Sequence, residues 1–144
     1  MTPKIRRRQR GAALVEFALV SSLLFLLLFG IIELGLLLGD QALVGAAARE
    51  GVRSAAVGDP AATAKSHAVS GGAGLPLSSA NVVLETSADN GGPWTVLGDS
   101  GANNSAASGT LVRATVTYNH PLVTSYIFSG STKTLTAKLV MRRE

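Results

Sequence analysis

The 144-residue chain contains no cysteine, which excludes a disulfide framework, a thiolate metal site and a cysteine nucleophile. Aromatic residues make up only 5% of it, so any core must be built from small aliphatic side chains and stays thin. Basic charge is scarce once the first ten residues are passed. The formal charge is +4, yet Lys4, Arg6, Arg7, Arg8 and Arg10 account for five of the basic groups with no acid among them, and from Gly11 onward basic and acidic residues nearly cancel. No Lys/Arg stripe interleaved with aromatics follows, so no nucleic-acid partner is expected. The two histidines, His67 and His120, are too far apart in sequence to suggest a zinc site. No phosphate-cradling glycine loop with its lysine occurs, and no carboxylates are paired at catalytic spacing. The chain is expected to have no catalytic residue, metal or cofactor.

What the sequence has instead is one long hydrophobic run. Gly11 to Gly39 reads GAALVEFALVSSLLFLLLFGIIELGLLLG, with Glu16 and Glu33 as its only charges. A membrane-crossing helix needs about 20 apolar residues, whereas the apolar region of a cleaved secretory signal runs about 7 to 15. The run therefore predicts a single transmembrane helix. The cluster Arg6, Arg7, Arg8 and Arg10 ahead of it keeps the N-terminus cytoplasmic and sends everything after Gly39 across a bacterial inner membrane. Counting about 1.5 Å per residue from Ala12, Glu33 lies roughly 32 Å along, where its side chain is expected to reach the headgroups. Gly30, Gly35 and Gly39 mark a face open to close approach by another helix.

Past Gly39 helix formers continue without proline, so the helix is expected to extend to about Val57 and stop at Gly58-Asp59-Pro60. Asp59 and Pro60 read as the cap and first turn of a short second helix ending at Gly71-Gly72. After Gly74 the period becomes two: Val82 and Leu84, then Val112 to Tyr118, then Leu135 to Met141, with Trp94 to Leu97 as a further short strand beyond the turn Asp89 to Gly92. The fold class expected is α+β, a long N-terminal transmembrane and stalk helix with a small C-terminal antiparallel sheet of three or four strands. The stretch Gly98 to Gly109 reads as a mobile loop. Within it, Gly98-Asp99-Ser100-Gly101 copies part of a serine-protease nucleophile motif, but the chain is too short for that fold, and Asp99, Asn103 and Asn104 lack the cadence of a calcium loop.

The block Arg6-Arg7-Arg8-Gln9-Arg10-Gly11 followed by Ala12-Ala13-Leu14-Val15-Glu16-Phe17 resembles a type IV prepilin leader. More closely, GAALVEFALV, the later GIIELG and Ala46-Ala47-Ala48-Arg49-Glu50-Gly51-Val52-Arg53 resemble the TadE-like family, minor pilins or pseudopilins of tight-adherence (Flp) pilus systems. The stretch Val112 to Pro121 with Leu122, and Met141-Arg142-Arg143-Glu144, resemble that family's closing region. Relatives usually carry a proline after EFALV, where Ser21-Ser22 stands here. The resemblance implies cleavage after Gly11 by a prepilin peptidase and a new N-terminal amine on Ala12. It also implies partnership with other pilins, inner-membrane pilus assembly proteins and the lipid bilayer, and a structural rather than enzymatic role. Glu16 then pairs with the Ala12 amine of a neighbouring subunit, offsetting the burial of both charges. The organisation expected is a leader at 1–11, a transmembrane helix at 12–39, a periplasmic continuation at 40–58 and an exported head at 59–144. The rival expectation is an uncleaved single-span anchor carrying a periplasmic or surface binding module.

Overall fold

The computed structural model describes residues 5–89, 91–123 and 132–144, with side chains from Gly11 onward. Helix α1 runs unbroken over Ile5–Val57, about 80 Å at 1.5 Å per residue. No proline lies between Pro3 and Pro60, and the leucines and alanines that fill the interval are strong helix formers. At Ser21-Ser22 the hydroxyls turn back on the helix. Ser21 Oγ donates to Ala18 O at 3.1 Å and Ser22 Oγ to Leu19 O at 2.8 Å, so polar side chains are satisfied without a kink.

The helix ends in a left-handed glycine, Gly58 at φ +104°, the usual way to release a chain from its last turn. Its exit is closed from across the molecule, since Asn104 Nδ2 donates to Ala55 O in the last turn at 2.8 Å and to Asp59 O just beyond the helix at 2.9 Å. Helix α2, Ala61–Gly71, follows at once. Asp59 does not cap it. Its carboxylate instead accepts from Ser54 Oγ at 2.5 Å, and the first free amide, Ala61 N, donates to Asp99 Oδ1 at 2.6 Å. Both caps therefore come from Gly98–Gly109, the stretch expected to be mobile. It forms a small hairpin, β3 (Asp99–Ser100) with β4 (Asn103–Asn104), in which Asn104 is buried. Satisfying buried helix termini is what holds it in place.

The strands β1 (Val82–Ser87), β2 (Thr95–Val96), β5 (Leu111–Pro121) and β6 (Thr132–Arg142) form one sheet in the order β2-β1-β5-β6, antiparallel throughout. The α+β expectation holds, with four strands. Inward-facing Val82, Leu84, Val112, Ala114, Val116 and Leu135 meet the upper part of α1 through Val44, Ala47, Ala48, Val52 and Ala55, and α2 through Ala61, Ala64 and Ala68. On the opposite face Arg113 lies 4.1 Å over the Trp94 ring and its Nη2 is 2.7 Å from Glu85 Oε2, a cross-strand pair that shields the single tryptophan.

Small residues let α1 and α2 approach closely. A Cβ built on Gly51 would stand 2.7 Å from Ala68 Cβ, and one on Gly71 would stand 2.8 Å from Glu50 Cβ. Along the outer side of α1, Arg53 Nη2 lies 2.7 Å from Glu50 Oε1, and that hydrogen bond holds the Glu50 carboxyl below its ordinary pKa. A lowered folded-state pKa adds stability above the unfolded value and loses it as the pH falls through the folded one; for so exposed a pair the effect is small. The close packing generates a sharper expectation. Gly51→Val should destabilise the folded head by about 1–3 kcal/mol through overpacking. Gly45→Ala, whose new Cβ meets only Arg49 Nη2 at 3.7 Å, should stabilise it by about 0.5–1 kcal/mol. Thermal unfolding of both variants in detergent micelles, followed by circular dichroism, checks the pair of opposite signs.

Candidate membrane and assembly interface

The head wraps only the upper part of α1. From Gly11 to Ile32 the helix is bare: Leu14 is 69% exposed and Ile31 61%, with the leucines and phenylalanines between them similarly open. None of its most apolar window is covered by the rest of the chain. Water does not tolerate an apolar surface of that extent on a folded protein, and the bare stretch of roughly 22 residues, about 33 Å, matches the hydrocarbon thickness of a bilayer. By length and composition α1 is suited to be a single-pass membrane anchor.

The lower rim of the head is marked by a polar cluster. Glu33 does not project outward as its sequence position suggests; it is 8% exposed, beneath the end of β5. Its Oε1 accepts from the backbone N–H of Val123 at 3.2 Å and lies 3.5 Å from His120 Nε2. His120, only 4% exposed, places Nδ1 2.7 Å from Asp40 Oδ2. A carboxylate offers only acceptors, so Nδ1 carries the proton in that contact. Glu33 and Asp40 are seven residues apart on one face of α1, and His120 from β5 sits between them. The imidazole thus ties the sheet to the helix at the level where the bare segment ends. The two carboxylates are met by different donors, Asp40 by the ring Nδ1–H and Glu33 by the Val123 amide, while His120 Nε2 makes no hydrogen bond among the described residues.

The residues singled out in the sequence fall elsewhere. Glu16 is exposed on the bare helix and contacts no other group among the described residues. Gly11 lies inside α1, with the helix running through it. A Cβ on Gly30, Gly35 or Gly39 would meet nothing within 4 Å among the described residues. Gly35 follows Glu33 by two residues and so points about 160° away from it, on the back of the helix. The backbone of residues 5–10 is helical; Lys4 and the side chains of Arg6, Arg7, Arg8 and Arg10 lie outside the described residues.

Two constellations resemble hydrolytic chemistry and fail on geometry. Asp99 caps α2, and Ser100 stands exposed on β3. Ser54, Asp59 and His67 do meet, with His67 Nδ1 3.1 Å from Ser54 Oγ, but the serine hydroxyl gives its proton to Asp59. In a catalytic triad the base takes that proton and the acid orients the base. Ser54 is also 2% exposed, so the trio is a tie between α1 and α2. Among the described residues no group of three His, Cys, Asp or Glu is placed to hold a metal ion.

A long apolar helix that continues without a break into the core of a small α+β head is consistent with a single-pass membrane anchor. Residues 11–53 match the family described as TadE-like protein, which is consistent with a TadE-like protein of the tight-adherence pilus system. The match covers less than a third of the chain and ends within α1, short of the head. No curated protein and no solved structure matches the chain. Sequence reading missed the His120 contact, since nothing local links a histidine on β5 to acids on α1 some 80 residues earlier. His120→Ala should lower stability by about 1–3 kcal/mol, because the ring's hydrogen bond is lost and buried acceptors remain. Amide exchange in micelles should accelerate first at the His120 end of β5 and at its β6 partners Lys133 and Thr134, while Val112 and Ala114 stay protected.

Proposed function

We propose that this chain is a minor pilin or pseudopilin that takes part in assembling a tight-adherence pilus. The observation that carries the reading is the bare apolar half of α1, which bears one unpartnered acid, Glu16, a few residues beyond the Gly11-Ala12 junction. An ionised carboxylate within a bilayer costs on the order of 2.5 to 3.5 kcal/mol on insertion scales. Cleavage after Gly11 by a prepilin peptidase creates the Ala12 amine, and a neighbouring subunit's amine offsets that cost while fixing axial register. Glycine suits the cut site. It is among the weakest helix formers, so the turn around Gly11 opens to the extended form a protease binds at a cost of about 1 kcal/mol less than alanine would require.

In this reading Arg6, Arg7, Arg8 and Arg10 keep the leader in the cytoplasm of a bacterium and the head is periplasmic. Ala12 to Ile32 spans the hydrocarbon, and Glu33 to Gly39 passes through the outer headgroup layer. The whole interval 12–39, about 42 Å, then covers the hydrocarbon core and the outer headgroup layer. Gly35 and Gly39, four residues apart, offer their bare face to another pilin helix. The helical continuity of Ile5 through Gly11 favours the second reading, in which the leader stays attached and the chain is an uncleaved anchor for a binding module.

Intact-mass measurement of the protein extracted from membranes, with and without the peptidase, separates the two. A peptidase-dependent start at Ala12 is expected, and a start at Met1 or Thr2 in both strains would establish the uncleaved anchor. Gly11→Val should leave the precursor uncut. Glu16→Ala should be cut as usual and fail to enter the assembled pilus, and its normal incorporation would refute the charge pairing.

A further inference from the structure

His120 stands between two acids, with more contacts than a single ring proton can serve. Its Nδ1 lies 2.7 Å from Asp40 Oδ2 and its Nε2 lies 3.5 Å from Glu33 Oε1. Nε2 is buried and makes no hydrogen bond among the described residues. A neutral imidazole has one N–H and one lone pair. With the proton on Nδ1, the Nε2 lone pair faces the Glu33 oxygen away from water, acceptor against acceptor. With the proton on Nε2, the same conflict moves to Asp40, at a separation that only a hydrogen bond allows. Neither neutral tautomer satisfies both contacts, and a buried polar atom left without a partner is costly.

A second proton on the ring removes the conflict. The imidazolium has a donor at each nitrogen, Nδ1–H bonded to Asp40 and Nε2–H directed at Glu33, and two carboxylates meet its charge. The other place for that proton, a Glu33 carboxyl donating to Nε2, gives the trio the same total charge, but an imidazole is the stronger base. Among the described residues the remaining charged group beside the ring is Lys133, its register partner on β6. Lys133 is exposed, so water and salt screen its repulsion.

We propose that His120 is held as an imidazolium between Asp40 and Glu33, and that this proton makes the fastening of the head to α1 acid-dependent. A proton bound in the folded junction contributes stability at low pH, and the contribution is lost as the pH rises until the ring releases it. The loosening is confined to the end of the head beside the bare helix. At the opposite end Asn104 Nδ2 donates to Ala55 O and Ala61 N donates to Asp99 Oδ1, contacts that pass through no histidine. In alkali the end of β5 therefore parts from α1 while the rest of the head stays folded. The inference rests on side-chain geometry and on neither the pilin reading nor cleavage after Gly11.

The test uses the full chain in detergent micelles with isotope-labelled histidine, its two histidines being assigned by His67→Gln. Ring-nitrogen NMR at about pH 7.5, above the ordinary histidine range, should find protons on both nitrogens of His120 and on one nitrogen of the half-exposed His67. Glu33→Gln should leave His120 with Nδ1–H alone, because the new amide can donate to Nε2. Amide exchange at the His120 end of β5, taken relative to Val112 and corrected for base catalysis, should rise roughly tenfold between about pH 5.5 and about pH 8.5, and should stay flat in Glu33→Gln. If Glu33→Gln does not fold, Asp40→Asn gives the matching result, a single ring proton moved to Nε2. One ring proton on His120 in the unaltered chain at about pH 7.5 would overturn the proposal. So would two ring protons persisting in either variant, or a relative exchange rate that does not change with pH. The mass of the N-terminus decides the pilin reading separately.

Discussion

One helix carries a bare apolar half and a packed half on a single ladder of backbone hydrogen bonds, and the rest of the structure is arranged around that demand. A ladder of that kind satisfies every amide and carbonyl of a lone segment, as an apolar solvent would require. Past the bare stretch the same ladder becomes the spine on which a head is packed. The change of solvent is written in side-chain size. Leucine, isoleucine and phenylalanine fill the bare stretch from Leu14 to Ile32, where bulk is harmless and apolar area is wanted. Alanine, glycine and valine fill Val44 to Ala56, where α2 and the sheet lie close. The core that results has Leu84 and a set of valines as its largest fully buried side chains, so much of its stability comes from how closely small residues interlock.

The junction between the two halves carries the polar groups that neither solvent would accept unaided. Glu33, Asp40 and His120 meet there, and the contact joins the end of β5 to the helix. At the opposite end of the head Asn104 and Asp99 close the last turn of α1 and the first turn of α2. The head is therefore fastened to α1 at both ends of their contact as well as along its apolar face. Such a head moves with its helix.

Seen this way the two ends of the protein have separate recognition tasks. The lower helix offers lipid, a lone acid at Glu16 and the open glycines Gly35 and Gly39. The head offers the solvent face of its sheet, where Arg113 lies over Trp94 and against Glu85. The family match lies wholly within α1.

The sequence by itself determined the one-dimensional features. These are an apolar run too long for a signal region, the absence of proline that keeps α1 whole, the breaker at Gly58 to Pro60, and a period of two that marks the strands. Each depends on spacing along the chain, and spacing survives without a structure. Tertiary structure alone decided what distant residues do to one another. Glu33 reads as an acid at the headgroups until His120 and Val123 arrive from the sheet to cover it. Gly98 to Gly109 reads as a mobile loop because its composition resembles one, yet Asp99 and Asn104 are held by helix ends about 40 to 50 residues earlier. Gly51 and Gly35 look alike in sequence, but one packs on Ala68 and the other has open space around it among the described residues. Which face of a helix is covered, and by what, is fixed by packing between elements that no local pattern connects.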